Sequence, residues 1–281
     1  MTDDLNQWFP TPDGTRLALR IEPGSRLPQV LLVHGLASNA RLWDGVASHL
    51  NSDGYSTVQV DLRGHGRADK PASGYDFATM SADLAELISQ TMRPPVMAVG
   101  QSFGGNLVLD LATGSPDLVS SVVCIDGGFI DLSSQFGTWE ACLAALTPPP
   151  LTHLSPASLA EAAAELYSGW QPEAIAAQLA NLEETEDGSI QRRLPLRHHL
   201  SILRAMYDQR PQALAEGCAR PVLMIAADDD MPEKKEQVDA FVKRLGQGRG
   251  VWLRGHHDLH AEQPANVVEV IERALADGFL R

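Results

Sequence analysis

One stretch decides the fold, residues 96–107, and it reads VMAVGQSFGGNL. Its first four residues are apolar and predict a strand buried on both faces, and the residues from Asn106 onward predict a helix. Between them lies a Gly-x-Ser-x-Gly motif centred on Ser102. A sharp strand-to-helix turn needs small residues on both sides of an exposed serine. The stretch therefore predicts a nucleophilic Ser102, and the alternative is a glycine-rich loop that only packs a helix on a strand.

Similar apolar runs recur along the chain and define the fold class. They occupy residues 30–33, 57–60, 122–125 and 222–226. Helix-like stretches separate them, and this alternation predicts an α/β protein with a mostly parallel central sheet flanked by helices. The opening segment, residues 8–21, instead predicts two strands joined by a turn at Asp13-Gly14.

The alternation is interrupted once, between residues 131 and 211, where no buried-strand run occurs. Helix starts are indicated there by Ser155-Pro156 and by Pro172, and residues 196–207 predict a further helix. We therefore expect a core domain made of residues 1–130 and 212–281. A helical cap, residues 131–211, would be inserted between two late strands of that core.

Charge and composition exclude several classes of partner. The chain has 22 Lys and Arg against 36 Asp and Glu, a formal net charge of −14, so it should repel nucleic acid and anionic membranes. Residues 1–7 lack the basic start of a signal peptide, and no run of 18 apolar residues occurs. Three cysteines cannot all pair. These features together predict a cytoplasmic protein with reduced thiols.

A serine hydroxyl is a weak nucleophile and needs a base oriented by a carboxylate. Three histidines, His256, His257 and His260, follow a strand-like run at residues 251–254. Three carboxylates, at residues 228–230, follow the run at 222–226, so the chain order Ser, Asp, His is the one expected for this type of turn. The histidine cluster lacks the His-x-His-x-Asp-His spacing of metal-dependent hydrolases. We therefore expect neither a metal nor another cofactor.

These features resemble an α/β-hydrolase-fold serine hydrolase with a helical cap. Besides the serine turn, the resemblance is carried by His34-Gly35, by the DLRGHG segment at residues 61–66, and by the regions around Asp230 and His257. It covers nearly the whole chain outside the cap. The motifs are specific for the superfamily and say nothing of the substrate.

The resemblance also implies which histidine is the base. Relatives carry a histidine followed five residues later by Glu and seven later by Pro. Only His257 has this spacing, to Glu262 and Pro264. We therefore expect His257 to be the general base.

Two residues compete for the role of the acid. Relatives place an Asp nine residues after the Pro that precedes the strand, and Pro221 plus nine is Asp230. Another branch of the family uses a carboxylate one strand earlier, where this chain has Asp126. We expect Asp230, with Asp126 left open, and we interpret Asp228 and Asp229 as a solvated turn.

The family pattern further implies an oxyanion hole formed by two backbone N–H groups, those of Phe103 and Leu36. His34, Arg63 and His65 are expected to hold loops rather than to react.

A serine at the turn also limits the reaction. Dehalogenases and epoxide hydrolases of similar sequence carry Asp there, whereas Ser102 favours an acyl-enzyme. We therefore predict a serine hydrolase that cleaves an ester-like acyl bond in a small molecule, such as an ester or lactone. Alternatives are a cofactor-free perhydrolase or haloperoxidase, a carbon–carbon bond hydrolase, and a ligand-binding protein without turnover. The oligomeric state is left open.

The cap should determine specificity. Candidates for its inner face are Phe129, Trp139, Trp170, His198 and His199, although aromatic residues at helical spacing are more often core. Its basic residues are Arg192, Arg193, Arg197, Arg204 and Arg210. They could recognise a substrate carboxylate, but we favour surface pairing with Glu183, Glu184, Glu186 and Asp187.

Overall fold

The computed structural model describes residues 7–151 and 155–281. The prediction made for residues 1–7 therefore falls almost wholly outside the described residues. The strands in the described part are β1 (Gln7–Pro10), β2 (Arg16–Glu22), β3 (Arg26–Val33), β4 (Tyr55–Asp61), β5 (Val96–Gln101), β6 (Val119–Ile125), β7 (Leu182–Glu184), β8 (Ile190–Arg192), β9 (Val222–Asp228) and β10 (Gly248–Arg254).

Eight of these strands form one sheet in the order β1-β2-β4-β3-β5-β6-β9-β10. The pairs β1–β2 and β2–β4 are antiparallel, and all the later pairs are parallel. Every predicted buried run lies inside one of these strands, and the Asp13-Gly14 turn joins β1 to β2 as expected. The prediction of a mostly parallel α/β sheet is confirmed.

The helices surround the sheet. They are α1 (Asp44–Ser52), α2 (Phe77–Thr91), α3 (Phe103–Gly114), α4 (Leu132–Phe136), α5 (Trp139–Leu146), α6 (Pro156–Leu166), α7 (Pro172–Leu179), α8 (Leu196–Asp208), α9 (Pro211–Gly217), α10 (Pro232–Val242), α11 (Leu259–Glu262) and α12 (Pro264–Ala276). Two short 3₁₀ helices cover Ala40–Trp43 and Pro116–Leu118.

The central strands bury side chains on both faces of the sheet. In β3, Leu31 and Val33 belong to one apolar cluster, and Val30 and Leu32 belong to the cluster on the opposite face. A strand covered on both sides has no polar face, which explains why its sequence does not alternate.

The chain between the neighbouring strands β6 and β9 contains α4 to α9 and the separate β7–β8 hairpin. Helices begin at Pro156, Pro172 and Leu196, as predicted, and Ser155 forms a capping box with Ser158. The hairpin was not expected. Its residues are exposed or half-buried, so they lack the continuous apolar pattern that reveals the core strands.

Side-chain hydrogen bonds tie this inserted chain to the rest of the protein. Asn39 donates from Nδ2 to the carbonyl of Ala177, 2.8 Å away. The Tyr75 hydroxyl lies 2.9 Å from Nδ1 of His198, and the two rings stack. These contacts place the inserted chain beside the loops that follow β3 and β4.

Candidate active site

Ser102 lies at the sharp turn between β5 and α3. Its φ is 53° and its ψ is −122°, a conformation that residues with a side chain rarely adopt. The flanking glycines are required sterically, because a Cβ on Gly100 would lie 2.1 Å from the carbonyl oxygen of Gly104. A Cβ on Gly104 would lie 2.4 Å from the carbonyl oxygen of Val33. The strained strand–turn–helix expected of the motif is present.

Two loops pack directly against this turn. A Cβ on Gly35, in the loop after β3, would lie 3.2 Å from Cβ of Ser102. A Cβ on Gly127, after β6, would lie 2.2 Å from the Ser102 carbonyl oxygen. The Ser102 N–H also donates to the carbonyl of Ile125, at 3.0 Å. Leu36 and Asp126, which neighbour these glycines, are thereby held close to the serine.

The structure pairs the predicted base with the alternative acid. Nδ1 of His257 lies 2.6 Å from Oδ2 of Asp126. The expectation that Asp230 would orient His257 is wrong: the Asp230 side chain is 76% exposed and lies 3.6 Å from Arg254. Asp126 directly follows β6, the strand next to β5, whereas Asp230 lies two residues beyond the end of β9, one strand further from the serine. The carboxylate that meets His257 is therefore that of Asp126.

Asp126 is buried and fully engaged. Its side chain is 4% exposed, and its Oδ1 accepts a hydrogen bond from the Ala227 N–H at 3.0 Å. Nζ of Lys234 lies 2.8 Å from Oδ1 and 3.0 Å from Oδ2. Burial acts to raise the pKa of Asp126, but hydrogen bonds and charge from His257 and Lys234 outweigh it and lower that pKa. The carboxylate is therefore held in its ionised form.

Asp126 engages Nδ1 of His257, so Nε2 is the ring nitrogen left for a different contact. Desolvation acts to lower the pKa of His257, but the hydrogen bond and charge of Asp126 outweigh it and raise that pKa. The backbone carbonyl of His257 accepts a hydrogen bond from Nε2 of Gln101, 3.1 Å away. Gln101 was not identified from the sequence; the available signal was a polar residue inside the serine motif, directly after an apolar strand run.

The other two histidines of the cluster have different surroundings. His256 is exposed, and its N–H and Nδ1 both contact the carboxylate of Glu262. His260 is buried against Trp43, with ring centroids 4.4 Å apart, and burial lowers its pKa to about 3. Of these three residues, only His257 joins the Asp126 carboxylate.

The two residues predicted to supply oxyanion donors, Phe103 and Leu36, both lie next to residues of the Ser102 turn or of the loop packed on it. Phe103 is the first residue of α3, where an N–H has no partner within the helix. Leu36 follows Gly35, and the next residue, Ala37, has a φ of 57°. His34 has the loop-holding role predicted for it: Nε2 accepts from the Leu62 N–H at 3.1 Å, and Nδ1 contacts the Gly35 carbonyl at 2.8 Å.

A cavity of about 270 Å³ lies between the loop after β3 and the inserted chain. Its wall is mainly apolar and includes Ala37, Ser38, Leu159, Ala163, Leu166, Tyr167, Leu179, Leu182, Arg192 and Leu194. The aromatic residues and histidines proposed for the inner face of the cap are absent from the residues that the structure describes around this cavity. Trp139 instead packs on Tyr207, and Trp170 packs on Tyr167.

Three of the basic residues of the inserted chain make different contacts, and two of them, Arg192 and Arg193, line the cavity. Arg193 pairs with Glu183 at 3.0 Å, the predicted partner, although both side chains are half-buried. Arg204 pairs with Asp208 rather than with the predicted acidic residues. Arg192 lines the cavity and donates to the carbonyl of Pro149 at 2.7 Å.

Within residues 7–151 and 155–281, no group of three or more His, Cys, Asp or Glu side chains is arranged to hold a metal ion. Among the same residues, no helix combines the length and the apolar character needed to cross a membrane.

Comparison with known proteins agrees with this architecture. The family model described as alpha/beta hydrolase fold matches residues 28–213. A 2-(acetamidomethylene)succinate hydrolase of Mesorhizobium japonicum is 38% identical over 111 residues, which are 40% of this chain and 40% of that protein. A non-heme chloroperoxidase of Streptomyces lividans is 34% identical over 117 residues, 41% of this chain and 42% of that protein. Each match spans less than half the length of the relative.

Solved structures are similar over nearly the whole chain. The crystal structure of an E-2-(acetamidomethylene)succinate hydrolase has a TM-score of 0.77, with 23% identity and coverage of 96% of this chain and 98% of that one. The thioesterase domain from the curacin biosynthetic pathway has a TM-score of 0.74, with 20% identity and coverage of 95% and 98%. At these identities the likeness concerns the fold. Because the family model covers most of the sequence, the chain belongs to the alpha/beta hydrolase fold family.

Proposed function

We propose that this protein is a serine hydrolase that cleaves an ester-like acyl bond of a small molecule through an acyl-enzyme on Ser102. One observation carries the proposal: His257 is hydrogen-bonded at 2.6 Å to the buried Asp126 carboxylate, and both residues follow strands parallel to β5, at the edge of the sheet where the strained Ser102 turn lies. A nucleophile, a base and an orienting acid are the parts that this chemistry requires.

In the proposed mechanism, Nε2 of His257 removes the proton from Oγ of Ser102 as that oxygen attacks the acyl carbon. The N–H groups of Phe103 and Leu36 donate to the oxyanion of the tetrahedral intermediate. His257 then gives its proton to the leaving group as the carbon bond to that group breaks. A water molecule, deprotonated by His257, releases the acid from Ser102 by the same steps in reverse order.

We also propose that residues 131–211 act as a cap and that the cavity beneath them receives the apolar part of the substrate. Ala37 and Ser38, which line the cavity, directly follow Leu36. A volume of about 270 Å³ with a mainly apolar wall suits a short aliphatic chain or one aromatic ring.

Haloperoxidase or perhydrolase activity is the second candidate, and it is supported by the similarity to a non-heme chloroperoxidase. Two assays distinguish this activity from ester hydrolysis. One measures hydrolysis of p-nitrophenyl esters without peroxide, and the other measures bromination that depends on peroxide.

We also propose a cytoplasmic location, which is supported by the free and buried state of Cys124, Cys142 and Cys218.

A serine-directed fluorophosphonate probe tests the main proposal. We expect it to label the wild-type protein and to leave Ser102→Ala unlabelled. A wild-type protein that stays unlabelled, or a Ser102→Ala variant labelled equally well, would defeat the proposal.

A further inference from the structure

The acid of the candidate triad has a second cationic partner. Lys234, in the first turn of α10, places Nζ 2.8 Å from Oδ1 and 3.0 Å from Oδ2 of Asp126. His257 contacts Oδ2 of the same carboxylate at 2.6 Å. Asp126 is thus shared between the imidazole and a lysine.

Lys234 is held in this position from its other side. Its Nζ also lies 2.9 Å from Oδ2 of Asp229, and its side chain is only 13% exposed. Asp229 stands in the loop after β9. The structure therefore contains a continuous chain of charged contacts from Asp229 through Lys234 and Asp126 to His257.

A carboxylate that also contacts a lysine raises the pKa of its histidine less than a carboxylate that contacts the histidine alone. The positive charge of Lys234 favours ionised Asp126, but it also offsets part of the negative charge that stabilises protonated His257. The other titratable groups that act on the His257 ring are Asp258 in its own loop and His260 in α11. Of these charged neighbours, Lys234 is the cation that touches the orienting carboxylate.

We propose that Lys234 is a positioning residue that fixes the Asp126 carboxylate toward His257 and limits the proton affinity of the imidazole. The inference rests on the proposed function, because it assigns His257 the role of base. Its consequence is that His257 stays neutral, and so able to accept the Ser102 proton, at a lower pH than Asp126 alone would allow.

The test is an NMR titration of the His257 imidazole in the substrate-free protein, run beside the pH profile of fluorophosphonate labelling. In Lys234→Gln, which keeps a polar side chain but loses the charge, we expect the His257 midpoint to rise by about 0.5–1 pH unit. The acidic limb of the labelling profile should move by the same amount. Lys234→Arg, which keeps the charge, should restore the wild-type values.

Lys235→Gln is the matched control, because it removes a lysine from the next position of α10, where the side chain lies over Trp252. It should leave the midpoint unchanged. Asp229→Asn gives a second test that leaves the Lys234–Asp126 contact in place. Without the Asp229 charge, the full positive charge of Lys234 acts on Asp126. The midpoint of the His257 titration should therefore fall.

The outcomes of the two measurements separate the two proposals. A His257 midpoint that is unchanged or lower in folded Lys234→Gln overturns the role of Lys234, even when the wild-type protein is labelled. If Lys234→Gln does not fold, a midpoint that fails to fall in Asp229→Asn overturns it. A wild-type protein that is not labelled defeats the serine hydrolase proposal, and the NMR titration still decides whether Lys234 controls His257.

Discussion

Gln101 donates a hydrogen bond from Nε2 to the backbone carbonyl of His257 across 3.1 Å, and so joins the last residue of β5 to the loop that carries the candidate base. The same nitrogen lies 3.2 Å from Oδ1 of Asp258. The Gln101 side chain is buried, directly before Ser102. The positions of nucleophile and base are therefore coupled by one amide.

Replacing this amide should displace the base while leaving the nucleophile in place. We expect Gln101→Leu to lower kcat by about 10–100-fold with a smaller change in KM, because catalysis is sensitive to small displacements of the reacting groups. Ester turnover measures both constants. Gln247→Leu is the control, since it removes a glutamine-to-carbonyl bond to Ala219 far from the site. Equal losses in the two variants would contradict a specific role for Gln101.

The two candidate acids can be compared directly. Asp126→Asn should lower kcat by several orders of magnitude, because the imidazole loses the group that orients it and stabilises its charge. Asp230→Asn should leave kcat near the wild-type value, since its carboxylate is exposed and contacts Arg254. Steady-state kinetics of both variants decides the assignment. A large loss in Asp230→Asn together with an active Asp126→Asn would reverse it.

The pH dependence of labelling should follow His257. Asp126 raises the pKa of His257 above its ordinary value of 6.5, and only the neutral imidazole accepts a proton. Labelling by the fluorophosphonate should therefore increase with pH through a midpoint above 6.5. In Asp126→Asn the residual rate should have a lower midpoint, because the negative charge is gone. A midpoint that rises in this variant would be inconsistent with the observed pairing.

The cavity under the inserted chain can be filled from α6. Ala163 is buried and lines the cavity, so Ala163→Phe should selectively lower kcat/KM for the longer esters of a p-nitrophenyl series. Ala164→Phe makes the same change on the next residue, which is exposed. It should leave the chain-length profile unchanged. A uniform loss across all chain lengths in Ala163→Phe would argue against binding in this cavity.

One buried ion pair should dominate the stability of the loop after β4. Arg63 and Asp83 are 1% and 5% exposed and form two hydrogen bonds, of 2.6 and 2.8 Å. Arg63→Met leaves a buried carboxylate unpaired and should lower the free energy of unfolding by about 3–5 kcal/mol. Arg16→Met removes a similar but exposed pair with Asp69 and should cost less than about 1 kcal/mol. Urea denaturation of both variants measures the difference.

Much of the fold and part of the site could be predicted from local patterns. The buried strands appear as short apolar runs because their side chains are covered on both faces, and Ser102 is marked by the glycines that its turn requires. His257 was selected by its spacing to Glu262, and the structure shows that glutamate holding the neighbouring His256. Such features depend on residues that are close together in the chain, so they can be recognised in the sequence without the tertiary structure.

The rest depends on contacts between distant segments. Asp126 and Asp230 both follow buried strands, and only the packing of the loops after β6 and β10 brings the first of them to His257. Lys234 lies in no motif and Gln101 occupies a variable position of one, and they acquire their contacts because α10 begins, and β5 ends, at the same edge of the sheet as the His257 loop. Strand order and loop packing arise from the collapse of the whole core, so tertiary structure alone decided which carboxylate meets the base and which side chains hold the pair in place.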